Sequence, residues 1–287
     1  MERYQAEVLI GTRFALSEGP VWEATTQTLH FVDIKGCALH TLHLPTGRQN
    51  SIDVSQNIGC FALRKQGGYV MGLTAGVYLL SEDQNHLAKL KEPEIDPMTR
   101  FNDGKCDPQG RFWCGTSDQY DYGHYLGGKL YCLPGDGRCI EILDKLGCSN
   151  GLGFRGDRVY FIDSIRHCVE RYTLDENSMT LRDRKEVVHI DPKLAVPDGM
   201  TMDEDGKLWV AHWGGGFVGR YDPDSGELLA RVDVPASQSS SCCFGGSDMQ
   251  TLFITSASVG RDDEPHAGNV FALHLPYRGV DSPKYNG

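Results

Sequence analysis

The sequence predicts an all-β fold, a six-bladed β-propeller whose four-stranded antiparallel blades surround a central channel. Three observations predict it. A strand–turn–strand motif is written six times, its copies lie 41 to 48 residues apart, and no long amphipathic helical pattern interrupts them. Repeats of this period, each with about four short strands, cannot bury an apolar face alone and close on one another as blades.

Each unit opens on a polar or glycine anchor and reaches a large apolar residue 11 positions later. The first unit, Glu18 to Phe31, carries two extra residues in its turn. The second runs from Gly59 to Val70, and the third from Asn102 to Trp113 through Asp103-Gly104-Lys105 and Gly110-Arg111-Phe112. Asn150 to Phe161, Asp198 to Trp209 and Cys242 to Phe253 complete the set. Third strands follow at 39–44, 77–80, 129–133, 169–174, 217–221 and 270–275, several closed by turn signals such as Pro45-Thr46-Gly47 and Asp222-Pro223-Asp224-Ser225-Gly226. Fourth strands are weaker, at 140–143, 186–190 and 227–232, and 81–92 leaves room for one short helix. With no composition shift or linker, residues 1–287 read as a single propeller domain.

Composition excludes several functions. Lys and Arg total 28 against 39 Asp and Glu, a formal charge of −11 without basic runs, which argues against nucleic acid or an anionic membrane as partner. No apolar run approaches the length of a membrane span. The charged start Met1-Glu2-Arg3-Tyr4 lacks an apolar leader, so the expected location is the cytoplasm. The ten cysteines contain no C-x-x-C pair and sit largely in apolar strands, as reduced structural thiols would.

In a propeller, the residues opening the innermost strands ring one mouth of the channel. Here these are Glu18, Gly59, Asn102, Asn150, Asp198 and Cys242. Two carboxylates and two carboxamides from four blades thus converge on one space. Their oxygens are hard donors suited to Ca²⁺, Mg²⁺, Mn²⁺ or Fe²⁺, with Zn²⁺ also compatible. Asn-Gly and Asp-Gly are equally common turn dipeptides, so periodicity by itself leaves a cation site and plain turn chemistry both open.

Four ordered motifs carry a resemblance. Ser17-Glu18-Gly19-Pro20-Val21-Trp22, Arg100-Phe101-Asn102-Asp103-Gly104-Lys105, Ser149-Asn150-Gly151-Leu152 and Pro197-Asp198-Gly199-Met200 resemble the gluconolactonase/regucalcin (senescence marker protein) family, over nearly the whole chain. Trp209 to Gly215 and Cys243-Phe244-Gly245-Gly246 resemble its bacterial sugar-lactonase branch. The resemblance implies a propeller that binds one divalent cation through Glu18, Asn150 and Asp198. It further implies that Arg100 and Asn102 contact the substrate, a small sugar-acid lactone hydrolysed to the aldonate in carbohydrate catabolism. Asp198 is then the catalytic candidate, as general base. Animal members carry a glutamate shortly after the Gly-Thr of blade three; Gly115-Thr116 here leads to Asp118 and, at the matching count, Tyr120. The competing reading is a non-catalytic calcium-binding regulatory propeller; Arg100 and Asn102 favour the enzyme, because a bare ion site needs no guanidinium. A WD-repeat scaffold is disfavoured, since no Gly-His…Trp-Asp repeat occurs.

Remaining candidates have plainer readings. Trp22, Trp113 and Trp209 are expected in the core. His212 is expected in a loop or, alternatively, in the pocket wall. Ser239-Ser240-Ser241 lacks a nucleophile elbow and reads as the polar start of blade six. Arg261-Asp262-Asp263-Glu264 reads as a solvated loop, and Lys284 to Gly287 as an uninformative tail. No coiled coil or long helix requires an assembly beyond a monomer or weak homo-oligomer.

Overall fold

The innermost strands are buried along most of their length, because each is packed on both faces by neighbouring blades. Ile58–Leu63 is buried at all six positions, whereas the outermost strand of blade one, Arg48–Asp53, is almost wholly exposed. This gradient is repeated around a ring of six sheets in the computed structural model, which describes residues 1–93, 96–118 and 125–287. The innermost strands are Ser17–Glu23, Ile58–Leu63, Thr99–Cys106, Ser149–Arg155, Val196–Met202 and Ser239–Gly245, defining blades one to six. Among the described residues the only helical element is a 3-10 turn at Ser164–Arg166, and no helix is long and apolar enough to cross a membrane.

The segment 81–92 forms no helix. Ser81 and Asp83 build a tight turn, with Asp83 Oδ1 accepting from Ser81 Oγ at 2.5 Å and from the Asn85 N–H at 3.2 Å. Leu87–Lys91 then pairs antiparallel with Gly76–Leu80 as the outer strand of blade two. A sheet edge awaiting a fourth strand outweighs the weak helical propensity of so short a segment.

Every innermost strand slips register against its neighbour near the mouth of the channel. The shifts fall at Glu18/Val21, Ile58/Cys60, Phe101/Asp103, Ser149/Leu152, Pro197/Met200 and Ser239/Ser241. Each is a bulge that re-aims a side chain out of the ladder, and Gly59, Asn102, Asn150 and Asp198 all sit within one. The bulge of blade six centres on Ser240, which corrects the expected ring position. Cys242 lies beyond it, paired with Ile254, and its thiol donates to the Trp209 carbonyl at 3.5 Å between blades five and six. Ser240 Oγ instead donates to the Ser17 carbonyl at 2.6 Å, joining blade six to blade one.

Both ends of the chain act in closure. Glu7–Ile10 pairs antiparallel with Val270–His274 and supplies the outer strand of blade six; Glu2–Gln5 adds to blade five as a parallel fifth strand. Residues 278–287, which the sequence left without a role, run across the face opposite the mouth. The Glu204 N–H of blade five donates to the Arg278 carbonyl at 2.8 Å, and the Gly279 N–H donates to Met249 of blade six at 2.9 Å. Tyr285 pairs with Leu63 and Lys65 of blade two, and the Asn286 N–H donates to Gly110 of blade three. Tyr285 is 2% exposed, its ring edge-on to Phe112.

Candidate active site at the channel mouth

Two aspartates fix the loops that form the mouth. Asp33 accepts the N–H groups of Ala15 and Leu16 at 2.9 Å and of Gly36 at 3.0 Å. Asp163 does the same in blade four, taking Cys148 N–H at 2.9 Å and Gly147 N–H at 3.3 Å, with Arg166 held at 3.1 Å. The following residue then bonds back to the loop: Ile34 N–H to Leu16 and Ser164 N–H to Cys148. The same device thus presents an isoleucine in blade one and a serine in blade four.

Glu18, Arg100, Asn102, Asn150 and Asp198 all line one cavity of about 380 Å³. All five are at least nine-tenths buried. Asn150 donates from Nδ2 to Ser164 Oγ at 2.8 Å, while that hydroxyl donates onward to the Pro197 carbonyl at 2.7 Å. The chain of donors turns Asn150 Oδ1 toward the cavity, where it accepts from Asn102 Nδ2 at 3.3 Å. Asn102 Nδ2 also donates to the Ser149 carbonyl at 3.0 Å, and its Oδ1 accepts from Arg100 Nη1 at 3.0 Å. Arg100 is therefore seated on blade three and tied through Asn102 to blade four.

The carboxylates are crowded. Burial first, then the charges of Asp198 and Asp103, push the Glu18 carboxyl well above its ordinary range. Burial and the charge of Asp103 do the same to Asp198. Asp103 is raised too, by burial, with Lys105 opposing. Lys105 enters the channel from the same strand and donates from Nζ to the Met200 carbonyl at 2.6 Å; its own proton affinity is lowered by burial against the pull of Asp103. The Glu18 carboxylate accepts the Gly19 N–H at 2.8 Å, which the left-handed backbone of Gly19 (φ 52°) folds back onto it. Gly59 is required for a different reason: a Cβ there would lie 2.0 Å from the Phe101 carbonyl oxygen, in the path of the strand that carries Arg100 and Asn102.

Among the described residues, no three His, Cys, Asp or Glu side chains form a group able to hold a metal. A cation at this mouth would be held by two carboxylates and a carboxamide: Glu18, Asp198 and Asn150 Oδ1. That donor set fits a hard divalent ion, which would offset the repulsion that raises both acids.

Residues 16–258 match the SMP-30/Gluconolactonase/LRE-like region. The chain belongs to that family. It is 35% identical to regucalcin of Danio rerio over the full length of both chains. It is 34% identical to the putative sugar lactone lactonase YvrE of Bacillus subtilis, covering 96% of this chain and 97% of that one. A calcium-binding regucalcin from Agrobacterium tumefaciens superposes with a TM-score of 0.92 at 27% identity, covering 100% of this chain and 99% of the other.

Within this SMP-30/gluconolactonase fold several expectations resolve. Trp22, Trp113 and Trp209 are buried, as expected. His212 is in neither a loop nor the cavity wall. It is wholly buried and stacked on Phe217, with Nδ1 against the Val210 carbonyl at 2.9 Å and Nε2 against Tyr221 Oη at 2.9 Å. Ser239, Ser240 and Ser241 are buried strand residues. Glu264 leaves the solvated run to accept Ser237 N–H and Oγ–H at 2.8 and 2.6 Å. Asp118 is buried but does not line the cavity, and Tyr120 lies outside the described residues.

Sequence reasoning missed Ser164, His167 and Trp213, which line the cavity, and Lys105 beneath it. A signal existed for Ser164: Ile162-Asp163-Ser164 repeats Val32-Asp33-Ile34 at the blade period.

Proposed function

We propose that the chain hydrolyses sugar-acid lactones with the help of one divalent cation held by Glu18, Asn150 and Asp198. The carrying observation is the convergence of two mutually repelling buried carboxylates and an oriented carboxamide beside the Arg100–Asn102 pair. A family that includes a putative sugar lactone lactonase supports the same reading. When bound, the cation supplies charge that polarises the lactone carbonyl and offsets negative charge as it develops.

The residues of the chain do the rest. Arg100, fixed by Asn102 and by its bond to the Phe101 carbonyl, presents a guanidinium edge that holds lactone oxygens in one orientation. Asp198 takes the proton of the attacking water as its oxygen adds to the carbonyl carbon. The ring C–O bond then breaks, and the ring oxygen leaves as a hydroxyl by taking back the proton that Asp198 had received. Net, one water is consumed and an aldonate and one proton are formed. The acidic protein, at −11 formal charge, favours release of that anion.

The test is proton release from a panel of aldono-1,4- and 1,5-lactones, in chelator and then with Ca²⁺, Mg²⁺, Mn²⁺, Fe²⁺ or Zn²⁺ restored. Acceleration over the spontaneous rate that returns with one metal is expected. A flat panel alongside proven metal binding would leave the calcium-binding reading, which the likeness to the calcium-binding Agrobacterium regucalcin favours.

A further inference from the structure

The cavity has two unlike halves. Its floor is the polar set Glu18, Arg100, Asn102, Asn150 and Asp198; its collar is Leu16, Ile34, Ile165, Val196, Trp213 and Val259. We propose that this collar is a subsite for an apolar substituent, so that beside sugar-acid lactones the protein takes lactones carrying an alkyl or aryl group, and gains from that group. This rests on the lactonase reading and goes beyond its sugar-acid substrates.

The argument is one of hydrogen-bond supply. A lactone whose carbonyl meets the floor directs its far ring carbons and their substituents into the collar. A hydroxyl there would leave water to face aliphatic side chains, an unfavourable exchange unless a partner is present. At that level, among the described residues, only two polar side chains face the apolar wall, the exposed Lys35 and His167, whose Nδ1 is buried with no partner and can serve one hydroxyl at most; Ser164 is already engaged with Asn150 and Pro197. An alkyl or aryl group in the same place buries apolar surface on both sides.

The collar is also preformed. Leu16 and Ile34 are bonded to each other through the backbone and clamped by Asp33. Ile165 stands on the 3-10 turn clamped by Asp163, which ends at His167 in a left-handed conformation (φ 52°). Trp213 is bridged to Gln238 of the neighbouring connection. A rigid apolar wall selects by shape and polarity instead of refolding around a polar guest.

The surface around the mouth continues the pattern. Of the eight exposed large apolar side chains among the described residues, Met98, Tyr125, Leu126, Leu194 and Val259 lie in connections on the mouth face. Val259 itself is 41% exposed at the rim, where a substituent longer than the cavity would lie.

The deciding experiment compares kcat/KM for γ-lactones carrying hydrogen, propyl, butyl, pentyl or hexyl at the ring carbon bonded to oxygen with that for aldono-1,4-lactones of the same ring size, using the metal-loaded protein. A rise of about two- to fourfold per added methylene is expected, until the collar is filled. Trp213→Ala should flatten that slope, raising KM for the hexyl compound more than for the parent ring. Val259→Ser, at an exposed position that carries no folding risk, should flatten it for the longest chains. Turnover of aldonolactones with no gain from alkyl groups would overturn the inference and leave the lactonase reading standing. No turnover of either series would remove both.

Discussion

Ser164 turns Asn150. Its hydroxyl accepts the Asn150 Nδ2 proton at 2.8 Å while donating to Pro197 at 2.7 Å, so the carboxamide presents Oδ1 rather than Nδ2 to the cavity. An oxygen donor set at this mouth depends on a residue that itself supplies no donor to it.

Ser164→Ala removes that orientation. Metal affinity is expected to fall about 10- to 100-fold, with turnover falling in parallel at fixed metal, as for other groups that orient ligands. Ser164→Thr should restore most of both. Calorimetric metal titration checks it; an unchanged affinity in Ser164→Ala would place the orienting role elsewhere.

Asn150→Ala and Asp198→Ala should abolish turnover while the protein still unfolds cooperatively. Each removes a cavity-facing oxygen but no core packing, so neither should lower the thermal unfolding temperature in chelator by much, and Asp198→Ala, which also relieves a buried carboxylate, should not lower it at all. Full activity in either variant would sink the site assignment.

Neutral His212 has both ring nitrogens satisfied: Nδ1–H donates to the Val210 carbonyl and Nε2 accepts from the Tyr221 hydroxyl. Burial pushes its pKa down to about 3. The unfolded imidazole protonates near pH 6.5 and the folded one does not, so the unfolded state binds the extra proton between these values. Stability is thus unaffected above that range and lost as pH falls through it, by up to about 1.4 kcal/mol per pH unit. His212→Gln, compared over pH 4 to 7, should show a shallower acid limb.

Tyr285 fixes the crossing tail to blades two and three. Tyr285→Ala should cost about 3 kcal/mol in urea unfolding, as for other large buried side chains. It lies on the face opposite the cavity, so KM should be unchanged; a large rise in KM would show that the tail tensions the mouth.

The blade count and most strands were legible in the sequence because a β-blade repeats its pattern at fixed period, and apolar alternation survives in one dimension. Glu18, Asn102, Asn150 and Asp198 stood out as ring positions because equivalent positions in successive repeats return to the same place; Arg100, and the roles of all five, came from the family resemblance. Periodicity, however, could not locate the bulge of blade six, where an 11-residue step pointed to Cys242 and the register shift falls at Ser240. Nor could it find Ser164 as the orienter of Asn150, since a hydrogen bond between a strand and a 3-10 turn that folds back onto it has no local spacing.

What the sequence by itself determined is a six-fold repeat with a polar ring at one mouth. Local patterning suffices for that, because each repeat carries its own strands and turns. Only the tertiary structure decided how the ring closes, with Glu7–Ile10 completing a blade built from the far end of the chain and residues 278–287 tying the opposite face. It also decided that His212 is core and that the mouth is apolar above and acidic below. The closing strand pairs residues more than 200 positions apart, and such pairings are set by how the blades pack, which no local pattern encodes.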